Sequence, residues 1–283
     1  MTEIAVRRRL SVTGRLRIDG PASVAGAVVL VIVAAAALAP LIAPYDPSTG
    51  DLAETLAAPS WDHIFGTDSS GRDVFSRLLY GARTSLVGPM IIVVASTLLG
   101  GAMGLMAGYV GGVLDTVLTR TWDLILSFPS LILAILLVAA IGPGYWGAVG
   151  ALAFLYSPIL ARVVRSAVLG ERGKPYVEAA RLQGFPTRRI LVRHLLPNII
   201  PPIAAQATLN FGYCLLELAG LTYLGLGVQP PTADWGQMLL SGRGALPYGS
   251  YAEAIAASVV IVVTVVSFNV LGDALARHGR SRS

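Results

Sequence analysis

The chain has 283 residues, of which 54% are hydrophobic and only 13% are Asp, Glu, Lys or Arg, and its formal net charge is +5. Soluble proteins average roughly 25% charged residues, so this composition and a mean hydropathy of +0.69 exclude an ordinary soluble domain and indicate a membrane protein. The single cysteine, Cys214, excludes an internal disulfide framework and a cysteine-rich metal site.

Windows without any Asp, Glu, Lys or Arg locate the membrane spans. They are residues 20–45, 84–114, 124–161, 194–216 and 254–272. A helix crosses the hydrocarbon in about 20 residues, and the window 124–161 holds two helices that the turn sequence "GPG" at 142–144 separates. The pattern predicts an all-α protein with six transmembrane helices, at residues 22–43, 85–108, 120–141, 146–166, 197–221 and 254–274. Apolar runs such as "VVLVIVAAAALA" do not alternate, which excludes a membrane β-barrel.

The first span lies between an arginine-rich start and an acidic loop. A cleavable signal has an apolar core of about 7 to 15 residues, whereas the charge-free window from 20 to 45 is longer, so we predict an uncleaved helix. In the loop that follows, Asp73 is placed to cap a short amphipathic helix on the membrane surface. The nearby sequence "DSSGRD" lacks the ligand spacing of a calcium loop.

Lysine and arginine residues are concentrated on one side of the predicted topology. Fifteen lie near the termini or in the loop after the fourth span, against four in loops of the other side. This asymmetry predicts that both termini are cytoplasmic, and it explains the positive charge by sidedness and lipid headgroups, without nucleic acid. The predicted organisation is a cytoplasmic segment 1–20, a first helix with an extracytoplasmic loop 21–83, a membrane core 84–275 that includes the loop 170–197, and a cytoplasmic tail 276–283.

A charged segment between the fourth and fifth spans predicts a helical hairpin, residues 175–196, named the hairpin below. The sequence favours a helix over 175–183, a left-handed residue at Gly184 that ends it, and a second helix that begins at Pro186 and leads at Pro197 into the fifth span. Two neighbouring alanines form a ridge of small side chains that a groove on another protein could hold. On physical grounds alone, the alternative is an amphipathic loop that rests on lipid headgroups.

The fifth span carries four residues at helical spacing: Gln206, Asn210, Cys214 and Glu217. A carboxylate within a span is costly and normally faces a protein interior or a water-filled path. We therefore predict that Gln206, Asn210 and Glu217 line a translocation path. The alternative for Glu217 is a structural pair with a donor on another helix. Asp123, near the start of the third predicted span, is expected to pair with Arg120 or to anchor the membrane interface.

No catalytic or metal-binding motif is found. "GERGKP" at 170–175 has two residues between its glycines where a phosphate loop needs four, and Pro175 takes the place of Ser or Thr. The three histidines, His63, His194 and His278, are scattered and are each expected at a surface or an interface. We predict no catalytic residue, no metal site and no bound cofactor.

The spacing in the hairpin resembles the EAA motif of permease subunits of bacterial ATP-binding-cassette (ABC) importers. The residues that carry this spacing are Glu178, Ala179, Ala180, Gly184, Leu196 and Pro197. Two further segments, "HIFGTDSSGRDVFSRLLYGARTSL" at 63–86 and "LTYLGLGVQPPTADWGQML" at 221–239, are similar to the C-type subunits of dipeptide and oligopeptide permeases. The resemblance covers about residues 21–275. It departs at His194, where the general motif has isoleucine, and at Ala233, where proline is common.

The resemblance implies a type I ABC importer permease fold in the bacterial plasma membrane, with the EAA residues docking on an ATPase. Its implied partners are a homologous second permease, two ABC ATPases that use ATP and Mg, an extracytoplasmic solute-binding protein and membrane lipid, with no nucleic acid. The implied cargo is a di- or oligopeptide, and the alternative is nickel, an opine or another small solute. Two other protein classes fit less well. A membrane enzyme would need convergent catalytic groups within the spans, where only isolated acids occur, and a signalling scaffold would keep the cytoplasmic hairpin but have no polar stripe in span five.

Overall fold

The computed structural model describes residues 20–280, and the predicted segments before residue 20 and after residue 280 lie outside the described residues. The described chain contains eleven α-helices: α1 (Gly20–Ala37), α2 (Ala39–Ile42), α3 (Val74–Val110), α4 (Gly112–Leu126), α5 (Ser130–Ile141), α6 (Tyr145–Glu171), α7 (Pro175–Leu182), α8 (Thr187–Arg189), α9 (Leu196–Tyr223), α10 (Trp235–Ala245) and α11 (Ala252–Arg280). A π-helical segment, Ile190–Leu195, joins α8 to α9. Within residues 20–280 there is no β-strand, as the sequence predicts.

Five helical stretches are long and apolar enough to cross a membrane, and a bent pair of helices makes a sixth when the pair is counted as one span. The five include α1, α3, α6 and α11, and the remaining one runs from Thr187 through the π-helical segment to the end of α9. The sixth consists of α4 and α5, which meet at 93°. The predicted number of six spans agrees with this count.

The predicted straight third span, residues 120–141, is wrong because the chain breaks between α4 and α5. Pro129 precedes α5 with an extended backbone (φ −58°, ψ 126°). A proline disfavours helical geometry at the residue before it and removes a helical hydrogen bond, so the helix ends at Leu126 and restarts in a new direction.

The predicted surface helix after Asp73 is also wrong as a separate element, although its cap is confirmed. Asp73 Oδ2 accepts a hydrogen bond of 2.7 Å from the backbone N–H of Ser76. From there α3 continues for 37 residues into the second span without a break. Val74 and Arg77 in its first turn are buried under protein, so the apolar face of this turn packs on the chain itself and not on lipid.

The tightest helix pair is α3 against α6, and it depends on glycines four residues apart. A Cβ atom added at Gly100 would lie 2.2 Å from the carbonyl oxygen of Ser157, and one at Gly104 would lie 2.5 Å from that of Ala161. Small residues at this spacing let two membrane helices approach closely. On the other side of the bundle, α9 packs on α11, where the rings of Phe211 and Phe268 stack at 3.8 Å.

Two polar regions lie at opposite ends of this bundle. At one end, the Tyr145 hydroxyl donates to the carbonyl of Thr84, which brings the start of α6 beside the early part of α3. At the other end, Arg172 donates to the carbonyl of Gly108 and joins the end of α6 to the end of α3. The first end carries residues 43–77, Asp234 and α10, which are together named the cap below, and the second end carries the hairpin.

Candidate functional site

The hairpin has the predicted helix and the predicted glycine turn. Helix α7 covers Pro175–Leu182, and Gly184 adopts a left-handed φ of 75°. The backbone N–H of Gly184 donates to the carbonyl of Arg181, and that of Phe185 donates to the carbonyl of Ala180. These bonds satisfy carbonyl groups at the end of α7. The chain then reverses direction.

The hairpin buries one face and exposes the other. Val177 and Ala180 point into an apolar cluster with Val164 and Val168 of α6 and with Ile199 of α9. The opposite face exposes four residues: Glu178, Ala179, Leu182 and Gly184. The predicted ridge of two alanines is therefore wrong, because Ala180 packs against its own bundle and only Ala179 is presented outward.

A chain of hydrogen bonds fastens the start of the hairpin to the spans. Glu171 at the end of α6 accepts bonds from Lys174 Nζ at 2.5 Å and from the Tyr176 hydroxyl at 2.7 Å. Asn198 of α9 donates to the same Tyr176 hydroxyl at 3.1 Å. On the other side, the Arg181 guanidinium lies 5.0 Å from the ring centroid of Tyr109 in α3. The hairpin thus contacts three membrane helices.

The second arm of the hairpin passes into the fifth span through an irregular helix. After α8, the π-helical segment leads directly to Pro197, and two more prolines, Pro201 and Pro202, follow within α9. Each proline lacks the N–H that a regular helix requires. The π-helical segment was not predicted from the sequence, although the three prolines indicate where regular helical hydrogen bonding fails.

The polar stripe of α9 is divided into two groups. Gln206 Nε2 donates to Asn210 Oδ1 at 2.8 Å, so the predicted neighbours on one helical face do meet. Gln206 lines a cavity of about 830 Å³ near the hairpin, together with Pro202, Leu209 and residues of α6. Asn210 is only 1% exposed and lies beneath that surface. Cys214 is completely buried.

Glu217 belongs to a different contact, with the broken third span. Its Oε1 accepts a hydrogen bond of 2.5 Å from the hydroxyl of Ser130, the first residue of α5. Its Oε2 is buried and has no hydrogen-bond partner. A donor on another helix is one of the two alternatives predicted for Glu217, but Ser130 was not identified as that donor because the break before α5 was not predicted.

The ion pairs near the hairpin end differ from those expected. Asp123 pairs with Arg162 of α6 and not with Arg120, its neighbour on α4. Eight residues nearer the start of α4, Asp115 accepts bonds from Arg165 at 2.5 and 2.6 Å. Because α6 lies beside α4 and presents arginines to it, these carboxylates join two helices.

The cap contains a buried histidine, His63, which was predicted to lie at a surface or an interface. His63 is 8% exposed, and its Nδ1 lies 2.9 Å from Asp73 Oδ1 while its Nε2 lies 3.0 Å from Glu54 Oε2. A neutral imidazole has one N–H donor, so both contacts are satisfied only by the protonated ring. The hydrogen bond to Asp73 is the main reason that the pKa of His63 is raised.

The cap is further held by buried charges. Asp68 forms ion pairs with Arg72 at 2.7 Å and with Arg77 at 3.4 Å. Asp234 caps α10 and accepts a bond of 2.6 Å from the Ser85 hydroxyl of α3. Within the described part of the chain, no group of three or more His, Cys, Asp or Glu side chains is arranged to hold a metal ion.

Comparison with protein families gives two matches. Residues 100–282 match the family described as binding-protein-dependent transport system inner membrane component. Residues 12–59 match the N-terminal transmembrane domain of oligopeptide transport permease C. Together the two matches include the first span, the end of α3 and everything from α4 through the hairpin to α11, whereas most of α3 lies between them.

Several relatives align over most of the chain. The dipeptide transport system permease protein DppC of Alkalihalophilus pseudofirmus is 40% identical over 240 residues, which are 85% of this chain and 79% of the relative. The di/tripeptide transport system permease protein DppC of Pseudomonas aeruginosa is 40% identical over 252 residues, 87% of this chain and 83% of the relative.

A solved structure shares the fold. Inward-facing MetNI, a methionine ABC transporter, matches with a TM-score of 0.58 and 21% identity, over 73% of this chain and 96% of the MetNI chain. The likeness confirms the expected type I ABC importer permease fold. With one family match over more than half of the chain and relatives aligned along most of it, the protein belongs to the inner-membrane components of binding-protein-dependent transport systems.

Proposed function

We propose that this chain is one of two permease subunits of an ATP-driven importer that carries di- or oligopeptides across the bacterial plasma membrane. The relatives are named as dipeptide and di/tripeptide permeases, which favours peptides over nickel, opines or another small solute. In this proposal the chain is not catalytic and binds no cofactor. Two partner ATPases use ATP and Mg, and a solute-binding protein delivers the cargo.

The proposed orientation places the hairpin and both termini in the cytoplasm and the cap outside. Its support is the distribution of lysine and arginine, fifteen on the hairpin side against four on the cap side. The cap then faces the solute-binding protein, and the hairpin faces the ATPases. The two polar ends of the bundle thus serve different partners.

The observation that carries the proposal is the hairpin, which has an exposed outer face on a buried base. Glu178, Ala179 and Gly184 are exposed and free to dock on an ATPase. Ala180 is buried, and Leu196 and Pro197 begin α9, so they connect the docked face to the spans. Movement of the ATPase would thus reach α6 and α9 directly and switch the permease pair between its two openings.

The proposed path follows α9, from Glu217 past Asn210 to Gln206. Gln206 lines the cavity of about 830 Å³ at the hairpin end, which suits the cytoplasmic mouth of a path. Glu217 lies beside the break in the third span, and discontinuous helices often flank transport sites. Both features support a path on this side of α9.

The test is peptide uptake by the complex of both permeases, both ATPases and the binding protein in liposomes. Glu178→Arg places a bulky positive charge on the docking face, and we expect peptide uptake to fall by about tenfold or more, since allosteric coupling is typically worth 1–3 kcal/mol. Asp273→Arg makes the same change of charge at an exposed site on α11 and serves as the matched control. Unchanged uptake in Glu178→Arg would show that the hairpin does not couple ATP use to transport.

A further inference from the structure

Glu217 is a carboxylate set deep in an otherwise uncharged stretch of span. Residues 194–216 contain no charged side chain, and Glu217 lies six residues before the end of α9, about 9 Å along the helix axis. A carboxylate at this depth is costly unless another group compensates its charge. The residues around Glu217 therefore decide whether its charge is compensated within this chain.

The compensation that Glu217 receives from its own chain is incomplete. Ser130 satisfies Oε1 with a neutral hydroxyl. Tyr156 also lies near the carboxylate, yet Oε2 has no hydrogen-bond partner and is shielded from solvent. The salt bridges of the described residues all lie elsewhere and none includes Glu217. Among the described residues, this carboxyl group is thus paired with a neutral hydroxyl and with no cation.

The approach to this carboxylate is open on the Ser130 side. Ser130 is exposed, and its neighbours Phe128 and Ile132 are each more than half exposed. On α9, Tyr213 and Leu216 are also more than half exposed. An apolar seam between the start of α5 and one face of α9 therefore leads from the chain surface to the Glu217–Ser130 pair.

We propose that Glu217 binds the α-ammonium group of the peptide as it passes the break between α4 and α5, and that this group displaces the Ser130 hydroxyl. The inference rests on the proposed function, in which the cargo is a peptide. A free amino terminus has a pKa of about 7.7–8.0 and is mainly positive at neutral pH. A charge-assisted bond from an ammonium group is roughly twice as strong as a neutral hydrogen bond, so the cargo competes well with Ser130.

The exchange of partners would favour one state of the permease. While Ser130 donates to Glu217, α5 is fastened to α9. When the ammonium group takes its place, that fastening is released and the bent pair α4–α5 can move relative to α9. The cargo thereby stabilises the released state, which is what a ligand must do to shift a conformational equilibrium. Peptides with a free amino terminus are the substrates that this site selects.

Photolabelling of the whole reconstituted complex tests the assignment. Uptake of an unmodified radiolabelled tripeptide is measured first. Two photoreactive tripeptides follow, one with a diazirine side chain at the first residue and one with it at the last, and their adducts are mapped by mass spectrometry. We expect the first-residue label to mark residues 127–132 and 213–220, and the last-residue label to mark other segments.

Variants at the site separate binding from folding. Glu217→Gln should reduce first-residue adducts in these two segments by about tenfold, equal to about 1.4 kcal/mol. Glu217→Asp keeps a carboxylate and should retain most of them, as should Asp273→Asn, the matched control that makes the same carboxylate-to-amide change at an exposed position of α11. Labelling of purified wild-type complex decides the location of the amino terminus even where a variant fails to assemble.

Two results would overturn the assignment while leaving peptide import intact. One is first-residue adducts that all lie outside 127–132 and 213–220 in a wild-type complex that takes up the tripeptide. The other is an adduct yield that Glu217→Gln leaves unchanged. A wild-type complex with active ATPases that takes up no peptide would instead refute the proposed function, and this inference with it.

Discussion

The cap and the hairpin lie at opposite ends of the same helices and are held by different interactions. In the cap, buried charged side chains each have a fixed partner, among them Asp68, Arg72, Asp73, Arg77 and Asp234. In the hairpin, charged side chains such as Glu178 and Arg188 are exposed, and an apolar cluster around Val177 and Ala180 holds the base.

This difference indicates which end is built to stay fixed. A buried ion pair resists displacement, because separation leaves an uncompensated charge away from water. Apolar contacts are non-directional and survive small shifts of one surface over another. The hairpin is also continuous with a π-helical segment and three prolines at 197, 201 and 202, where regular helical bonding is interrupted. The cap therefore fixes the bundle, and the hairpin is the end that can move.

The largest effect is expected from Arg77→Ala in the cap. Arg77 is completely buried, lies 3.4 Å from Asp68 and donates to the carbonyls of Pro47 and Pro231. Its removal leaves the buried Asp68 carboxylate with less compensation, and breaking a buried pair costs roughly 3–5 kcal/mol. Thermal unfolding in detergent should show a large loss of stability.

Arg83 is an exposed arginine six residues farther along α3. The Arg83→Ala variant is the control and should unfold like wild type. If Arg77→Ala and Arg83→Ala unfold at the same temperature, the cap is not fixed by its buried charges, and the contrast with the hairpin fails.

A smaller, pH-dependent effect is expected at His63. Its raised pKa means that the folded cap holds the proton more tightly than the unfolded chain does. The stabilisation is fully present below the unfolded pKa of about 6.5 and is lost as the pH rises through the higher folded value. We expect about 1 kcal/mol, because Glu54 is half exposed and solvent screens its charge.

Hydrogen exchange of residues 54–73, measured from pH 5.5 to 9 and corrected for the intrinsic exchange rate, follows this loss. Protection should fall with rising pH in the wild type, whereas His63→Gln should have lower protection at pH 5.5 and little dependence on pH. A wild-type cap with the same corrected protection throughout this range would contradict the bridge from His63 to its two carboxylates.

The features that could be predicted from sequence are those that depend on local pattern. Charge-free windows located six spans, because crossing the hydrocarbon demands long apolar stretches. The helix N-cap formed by Asp73 and the left-handed turn at Gly184 were predicted because each conformation follows from the residue type at that position.

The features that could not be predicted depend on which helix lies next to which. The window 124–161 is apolar along its whole length, so its hydropathy gives no sign that the chain changes direction at Pro129. Asp123 was expected to pair with Arg120 on its own helix, but it pairs with Arg162 because α6 packs beside α4. Ser130 reached Glu217 only because α5 begins at that break. Sequence spacing predicts neighbours on one helix, whereas these contacts join two.

The smallest effect on folding is expected from Leu182→Ala in the hairpin. This variant distinguishes a surface that binds a partner from one that stabilises the fold. Leu182 is 90% exposed, and surface substitutions usually change stability by no more than about 0.5 kcal/mol. An exposed leucine on a docking face should nevertheless bury apolar area in the complex, so we expect binding of the ATPase to weaken roughly five- to tenfold, equal to about 1–1.4 kcal/mol.

Leu52→Ala is the matched control, since Leu52 is 82% exposed in the cap. Both variants are assembled with the second permease, and unfolding temperature and ATPase affinity are measured on the same samples. Equal ATPase affinity for the two variants would contradict docking at the hairpin. A fall in stability for Leu182→Ala as large as that for Arg77→Ala would show that the exposed face belongs to the fold itself. If Leu182→Ala weakens ATPase binding and leaves the unfolding temperature unchanged, the outer face of the hairpin contacts the ATPase and does not stabilise the fold. The buried face around Val177 and Ala180 then holds the hairpin to the bundle.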